Sequence, residues 1–146
     1  MTRVFLSTSY STQINPKTGY ISASFKDFIE QLTATLRDID GIYVFCAVED
    51  GDWVVSIEPP EVSIKKDLDE VRAADILVAL IPPDVALGGV HFEMGVAFAL
   101  GKKVLVATEP DTDIKFFKQG LVNAGYVHHV QYTSPNSLAE QIIQAT

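Results

Sequence analysis

The chain has 146 residues, and 11 Lys and Arg against 19 Asp and Glu give it a net charge of −8. At roughly 150 residues per domain this is one domain over residues 1–146, and 47% hydrophobic residues are enough to bury a real core. The composition excludes a disordered chain, the charge speaks against gripping a polymeric nucleic-acid backbone, and one cysteine excludes a disulfide framework. No apolar run approaches the ~20 residues that span a bilayer, and the opening MTRVFLSTSYS reads as a strand, not a signal peptide. A cytoplasmic enzyme or binding domain, with no membrane partner, is what remains.

Periodicity then predicts alternating strands and helices. Arg3 to Ser7 is short, apolar and β-rich, as a strand buried on both faces should be. A long polar stretch from Thr8 to Ser22 follows, and loops of that length are often functional. Ser24 is placed as an N-cap with Asp27 as its capping-box partner. Phe25, Phe28, Ile29, Leu32 and Leu36 lie at helical spacing up to Gly41, which ends the first helix.

Ile42 to Val48 is the second strand, and Glu49 to Pro60 is rich in turn formers. From Glu61 a helix is expected, with Ile64, Leu68, Val71 and Asp75 on one face. Ile76 to Ile81 is an unbroken apolar run, stopped by Pro82-Pro83, and reads as a central strand. Gly88-Gly89 lies ahead of a helix from His91 to Leu100, with Gly101 as its C-cap. Lys103 to Thr108 is the fourth strand, Ile114 to Val122 a helix, Tyr126 to Tyr132 the fifth strand, and Asn136 to Ala145 a closing helix. The order implies an α/β fold: one doubly wound (flavodoxin- or Rossmann-like) five-stranded parallel sheet with helices on both faces. Its ligand site belongs beyond the carboxyl ends of the strands, at the switch point.

Two carboxylates stand where charge is unwelcome. Glu93 falls in the first turn of a helix that is apolar nearly all round and therefore expected to be buried. Burial raises its pKa while a helix N-terminus favours its anion. Such a carboxylate suits a nucleophile or the stabiliser of a cationic transition state, or it merely satisfies free N–H groups at the helix start. Asp67 lies at the edge of the stripe formed by Ile64, Leu68 and Val71, where a solvated surface charge is the simpler reading. Asp75, just before the central strand, is expected to bond backbone N–H groups structurally.

The segment from Asp67 to Val106 resembles the nucleoside deoxyribosyltransferase superfamily, which includes the deoxynucleoside 5′-monophosphate N-glycosidases. Asp67-Leu68, six further residues and Asp75-Ile76-Leu77-Val78-Ala79 form one block. Gly89, Phe92-Glu93-Met94-Gly95 and Ala97 to Leu105 form the other. The resemblance implies that Glu93 attacks C1′ to form a glycosyl-enzyme ester and that Asp67 orients the sugar or shuttles a proton at the leaving base. This is the paired-carboxylate logic of retaining glycoside chemistry. It implies cleavage or transfer at the N-glycosidic bond of a nucleoside or nucleoside 5′-monophosphate, with no metal or organic cofactor. It also implies a homodimer or larger assembly, because family sites are completed from a neighbouring subunit; Gln119 and Asn123 are candidates for that residue.

The chain departs from the family pattern at Leu87, where many members carry an orienting Asp or Ser, and Asp84 is the nearest acid upstream. The loop after the first strand offers Ser7, Thr8, Ser9, Ser11 and Thr12 with Lys17 its one basic residue, which weakens a nucleotide relative to a nucleoside. Tyr10, Tyr20 and Trp53 are loop aromatics on which a base could stack, although Trp53 could equally cover the sheet edge. Gly88 and Gly89 suit close backbone approach to a sugar or phosphate. His91, two residues from Glu93, projects about 200° away, and adjacent strand residues His128 and His129 make poor metal ligands. Cys46 reads as inert packing. Two further readings compete: a TIR-like NAD glycohydrolase, favoured by the "VFLS" strand and a helical Glu, and a non-catalytic nucleotide-binding domain, favoured by Leu87.

Overall fold

The structure, a computed structural model, describes residues 1–9, 13–53, 58–83 and 88–146. Its elements in chain order are β1 (Thr2–Ser7), α1 (Ala23–Arg37), β2 (Ile42–Cys46), α2 (Ala47–Asp50), α3 (Pro60–Ala73) and β3 (Ile76–Leu80). They continue with α4 (Gly88–Ala99), β4 (Lys103–Thr108), α5 (Lys115–Asn123), β5 (His128–Gln131) and α6 (Pro135–Ala145). The five strands form one parallel sheet in the order β2-β1-β3-β4-β5. The chain winds outward from β1 to β2 and then crosses back to β3, so the switch point lies between β1 and β3, as in doubly wound sheets.

Alternation along the strands builds two cores. Val4 and Leu6 of β1 join Val78 of β3 and Leu105 of β4 against Ile29, Leu32 and Leu36 of α1 and Leu138 and Ile142 of α6. Phe5, Leu77, Ala79 and Val104 face the other way, against Val71 of α3 and Val90, Met94 and Ala97 of α4. All five residues of β3 are buried, as an unbroken apolar run requires of a central strand.

Several boundaries differ from the sequence expectation for identifiable reasons. Ser22, not Ser24, caps α1, accepting from the Phe25 N–H at 3.5 Å. Residues 13–22 form a small antiparallel turn, with Ser22 N–H donating to Gln13 O at 2.8 Å, and this delivers the chain into the helix two residues early. Gly41 does not end that helix, which stops at Arg37; with φ +84° it makes the turn into β2. β2 ends at Cys46, because Glu49 folds back onto α1 through Thr33 and Arg37 and starts the short α2. β3 and β5 are shorter than expected, at Ile76–Leu80 and His128–Gln131. Gly101, at φ +72°, closes α4 as expected, with Lys102 N–H bonding Ala97 O in a Schellman arrangement.

Two helices are less buried than their patterns suggest. On α3 only Val71 is buried; Ile64 is 55% exposed, and Asp75 lies beyond the helix end. α4 begins at Gly88 and buries Val90, Met94 and Ala97, leaving Phe92 and Phe98 on an open outer face, 59% and 47% exposed. An all-round apolar helix therefore has one face on the sheet and one facing away from it. Asp75 is structural: its carboxylate accepts from the Arg3 N–H at 2.8 Å, and its backbone bonds both Arg3 and Lys103, tying β3 to both neighbours.

Candidate active site

Site geometry begins with β1. Period-two alternation sends Phe5 and Ser7 toward α3 and α4. Ser7, the last residue of the strand, is fully buried, and its Oγ donates to Glu93 Oε1 at 2.7 Å. Glu93 is half-buried in the second turn of α4, not the first, because the helix starts at Gly88. The helix-terminus field fades within one turn, so the Ser7 hydroxyl takes over the stabilisation of the carboxylate that was expected from the helix start. The Glu93 side chain reaches across to β1 rather than back over its own helix.

Burial pushes the Glu93 carboxyl up to about 7; the Ser7 hydrogen bond opposes this and the Asp67 charge adds to it. Asp67, half-buried in the second turn of α3, is pushed up to about 6 by burial and by Asp50, with Lys66 pulling the other way. Two acids that titrate near neutral pH thus face one cleft. That is the condition for one of them to carry a proton while the other is an anion.

The cleft has a volume of about 610 Å³ and opens beyond the carboxyl end of β1. Asp67 and Glu93 line it together with Thr8, Ser9, Gly88, Gly89, Ile64, Leu68, Ala47 and Phe92. Among the described residues outside the adjoining helix backbone, a Cβ on Gly88 or Gly89 would meet no atom within 4 Å, so both glycines leave space at the cleft wall. Thr8 and Ser9 also border a smaller cavity of about 220 Å³ on the α1 side, so the segment after β1 separates the two spaces.

Of the residues singled out in the sequence, six reach the cleft: Glu93, Asp67, Thr8, Ser9, Gly88 and Gly89. Ser7 stands behind Glu93 and touches the carboxylate instead of lining the cavity. Trp53 is not part of the lining; it packs on the α1-side core, with Lys26 Nζ 5.6 Å from its ring centre. Tyr10, Asp84 and Leu87 lie outside the described residues. Ile64 and Phe92 were not foreseen at the site, although exposed apolar side chains on helices otherwise packed on a sheet are the signal that marks them.

His91 turns away from Glu93, its Nε2 lying 3.2 Å from Lys118 Nζ, while His129 Nε2 lies 2.7 Å from Thr108 Oγ1. Among the described residues no group of three His, Cys, Asp or Glu is placed to hold a metal ion. The Cys46 thiol is buried and pushed up to about 12, which makes it inert packing. No described helix is long and apolar enough to cross a membrane.

Comparison with known proteins adds to this geometry. Residues 25–135 match the sequence model of the family described as nucleoside 2-deoxyribosyltransferase. The fold is similar to that of the CMP N-glycosidase BcmB of Clostridium botulinum, at 23% identity over 99% of both chains and a TM-score of 0.68. It is also similar to the 2-deoxyribosyltransferase of Bacillus psychrosaccharolyticus, at 20% identity over 94% of this chain and 90% of that one, TM-score 0.64. BlsM, known from a solution structure, is 26% identical over 98% of this chain and 88% of its own, with a TM-score of 0.75. No curated protein matches the chain significantly.

The raised Glu93 pKa has a consequence for stability. Between the ordinary value of 4.5 and about 7 the folded state binds more protons than the unfolded chain, so stability falls as pH rises through that window. Glu93→Gln removes the buried charge and keeps an acceptor for Ser7. It is expected to raise unfolding free energy by about 1–3 kcal/mol at pH 8, with the gain vanishing below about pH 4.5. Urea unfolding across that pH range measures it; a variant less stable than the parent at pH 8 contradicts the expectation.

Proposed function

Because the chain belongs to the nucleoside 2-deoxyribosyltransferase family, it is an enzyme of that kind, and we propose that it works through a glycosyl-enzyme ester on Glu93. The reading takes residues 1–146 as one such domain acting in the cytoplasm, in keeping with a lone buried thiol. The observation that carries it is the meeting of Glu93 and Asp67 in one cleft, with Ser7 donating to the first. Glu93 as its carboxylate attacks C1′ of the sugar while the C1′–N bond to the base breaks. Asp67 orients the sugar or shuttles a proton to the departing base. Glu93 holds its own proton more tightly, at about 7 against about 6, so the attacking carboxylate gains population as pH rises through about 7. Either a second base or water then attacks C1′ and releases Glu93, which makes the enzyme a transferase or a hydrolase. Ser7 positions the nucleophile in the role that an Asp or Ser at position 87 would otherwise fill. Thr8, Ser9, Gly88 and Gly89 bind the sugar end of the substrate.

Candidate substrates are monomeric nucleosides and nucleoside 5′-monophosphates, the latter because the similar fold of BcmB belongs to a CMP N-glycosidase. Polymeric nucleic acid is not part of the reading, and the charge of −8 supports leaving it out. A panel of nucleosides, their monophosphates and NAD, each with and without an acceptor base, tests the proposal by chromatography of the products. Free base without acceptor identifies a hydrolase and base exchange a transferase. Glu93→Gln is expected to lose at least about a thousandfold in turnover and Asp67→Asn about 10- to 1,000-fold. Full activity in Glu93→Gln overturns the assignment, and cleavage of NAD alone moves it to the NAD glycohydrolases.

A second copy of the chain is part of the same proposal. Phe92, Phe98 and Leu100 are about half exposed on and just after α4, and Tyr126 meets Phe98 edge to face at 5.5 Å between ring centres. An aromatic face on the helix that carries Glu93 is the kind of surface a partner subunit covers. Gln119 and Asn123, joined by a 2.8 Å hydrogen bond on α5, are the exposed polar groups offered for completing a neighbouring site. Light scattering after gel filtration is expected to give a dimer or larger assembly and Phe98→Asp a smaller species. A monomeric parent protein contradicts this part.

A further inference from the structure

α2 is a single turn, yet its two acids hold two different helices. Glu49 accepts from Thr33 Oγ1 at 3.0 Å and pairs with Arg37, both on α1. Asp50 pairs with Lys66 on α3. Ala47, which opens the same turn, lines the cleft beside Ile64, Asp67 and Leu68 of α3. The Asp50–Lys66 pair therefore ties together the two elements that form this wall of the cleft. Both side chains are about half exposed, and ion pairs that open to water add little to stability. What the pair does for the residue beside it is the larger effect.

Lys66 directly precedes Asp67, and neighbouring side chains on a helix project about 100° apart. Asp67 turns into the cleft, and Lys66 turns to Asp50. A lysine left free at that position would favour the ionised form of Asp67. Asp50 works against that twice, because it engages the ammonium and sets its own negative charge near Asp67. Facing the same carboxyl is Glu93 of α4, while Glu58, ahead of α3, acts on Lys66. Along the rest of α3, Lys65 and Arg72 are turned to Asp69, and Glu70 to Arg3. The balance matters because Glu93 keeps its proton more tightly than Asp67, at about 7 against about 6. Attack by the Glu93 anion with a proton on Asp67 uses the less populated arrangement of the pair. Above pH 7 that population falls about tenfold for each unit by which the Asp67 pKa drops.

We propose that Asp50 is a positioning residue for the reaction: its ion pair draws Lys66 away from Asp67 and leaves Asp67 able to carry a proton to the departing base. The proposal rests on the N-glycosidic reading above and selects proton transfer as the work of Asp67. In that step the C1′–N electron pair goes to the base nitrogen, which takes the Asp67 proton. The resulting carboxylate recovers a proton from water. Asp50→Asn keeps the shape of the side chain and removes its charge. With the best substrate of the panel it is expected to lower kcat/KM about three- to tenfold at pH 8. At pH 5, where Asp67 stays at least about half protonated, the loss is expected to shrink to about twofold or less. Asp50→Glu, which still pairs with Lys66, is expected to recover part of the loss at pH 8, and so is Lys66→Met added to Asp50→Asn. Carbon-13 NMR titration of the Asp67 carboxyl reads the same change without turnover, as a shift to lower pH in Asp50→Asn. An equal loss at both pH values, or no loss at either, overturns the proposal. So does an Asp67 titration that Asp50→Asn leaves unmoved. A parent protein that turns over no nucleoside or monophosphate, while the titration moves as expected, defeats the N-glycosidic reading and with it any role of Asp50 in a reaction.

Discussion

A single hydrogen bond, from the hydroxyl of Ser7 to the carboxylate of Glu93, joins the centre of the sheet to the helix beside it. Each partner is there for a separate reason. Ser7 ends β1, the strand next to the switch point, and alternation turns it toward α4. Glu93 follows Val90 and precedes Met94 and Ala97, whose burial against the sheet fixes the rotation of α4 and so the direction of Glu93. Shifting α4 by one residue would turn the carboxylate about 100° away from β1. The chemistry proposed for the chain depends on that register.

Holding an acid there costs stability, and the sheet carries the cost. β3 is buried along its whole length, and α1, α6 and α4 bring apolar side chains to both faces of the sheet. Near the cleft the packing thins: α3 buries only Val71, and the space beside Gly88 and Gly89 is open. A rigid layer below and a loosely packed rim above is the usual division between scaffold and binding surface in doubly wound folds. Two acids titrating near neutrality belong to the rim. They are tolerated because the layer beneath does not depend on them.

Much of this was legible in the chain itself, and the rest was not for physical reasons. The unbroken ILVAL run could only be a central strand, and Gly101 could only be the end of its helix. Glu93 declared itself as an acid in apolar company, whereas Asp67 read more simply as a surface charge at the edge of its stripe and was singled out by the family resemblance. The capping of α1 was misplaced because Ser22 and Ser24 are equivalent locally; the turn at 13–22, a longer-range feature, chooses between them. Trp53 was ambiguous because a loop aromatic has no period to say which layer it joins, and it joins the α1 side. The outer face of α4 misled for a different reason. Phe92 and Phe98 look like core residues by composition, yet both stand about half exposed, because the sheet covers only the side of α4 that carries Val90, Met94 and Ala97.

The covalent step is where the proposal is most exposed. The direct measurement is mass spectrometry of the protein quenched in acid during turnover of a nucleoside, followed by peptide mapping. The expected result is a sugar adduct on the peptide that contains Glu93, cleared by acceptor base or water and missing from Glu93→Gln. Turnover at full rate with no adduct at any time, or an adduct mapped to another residue, would contradict Glu93 as the nucleophile.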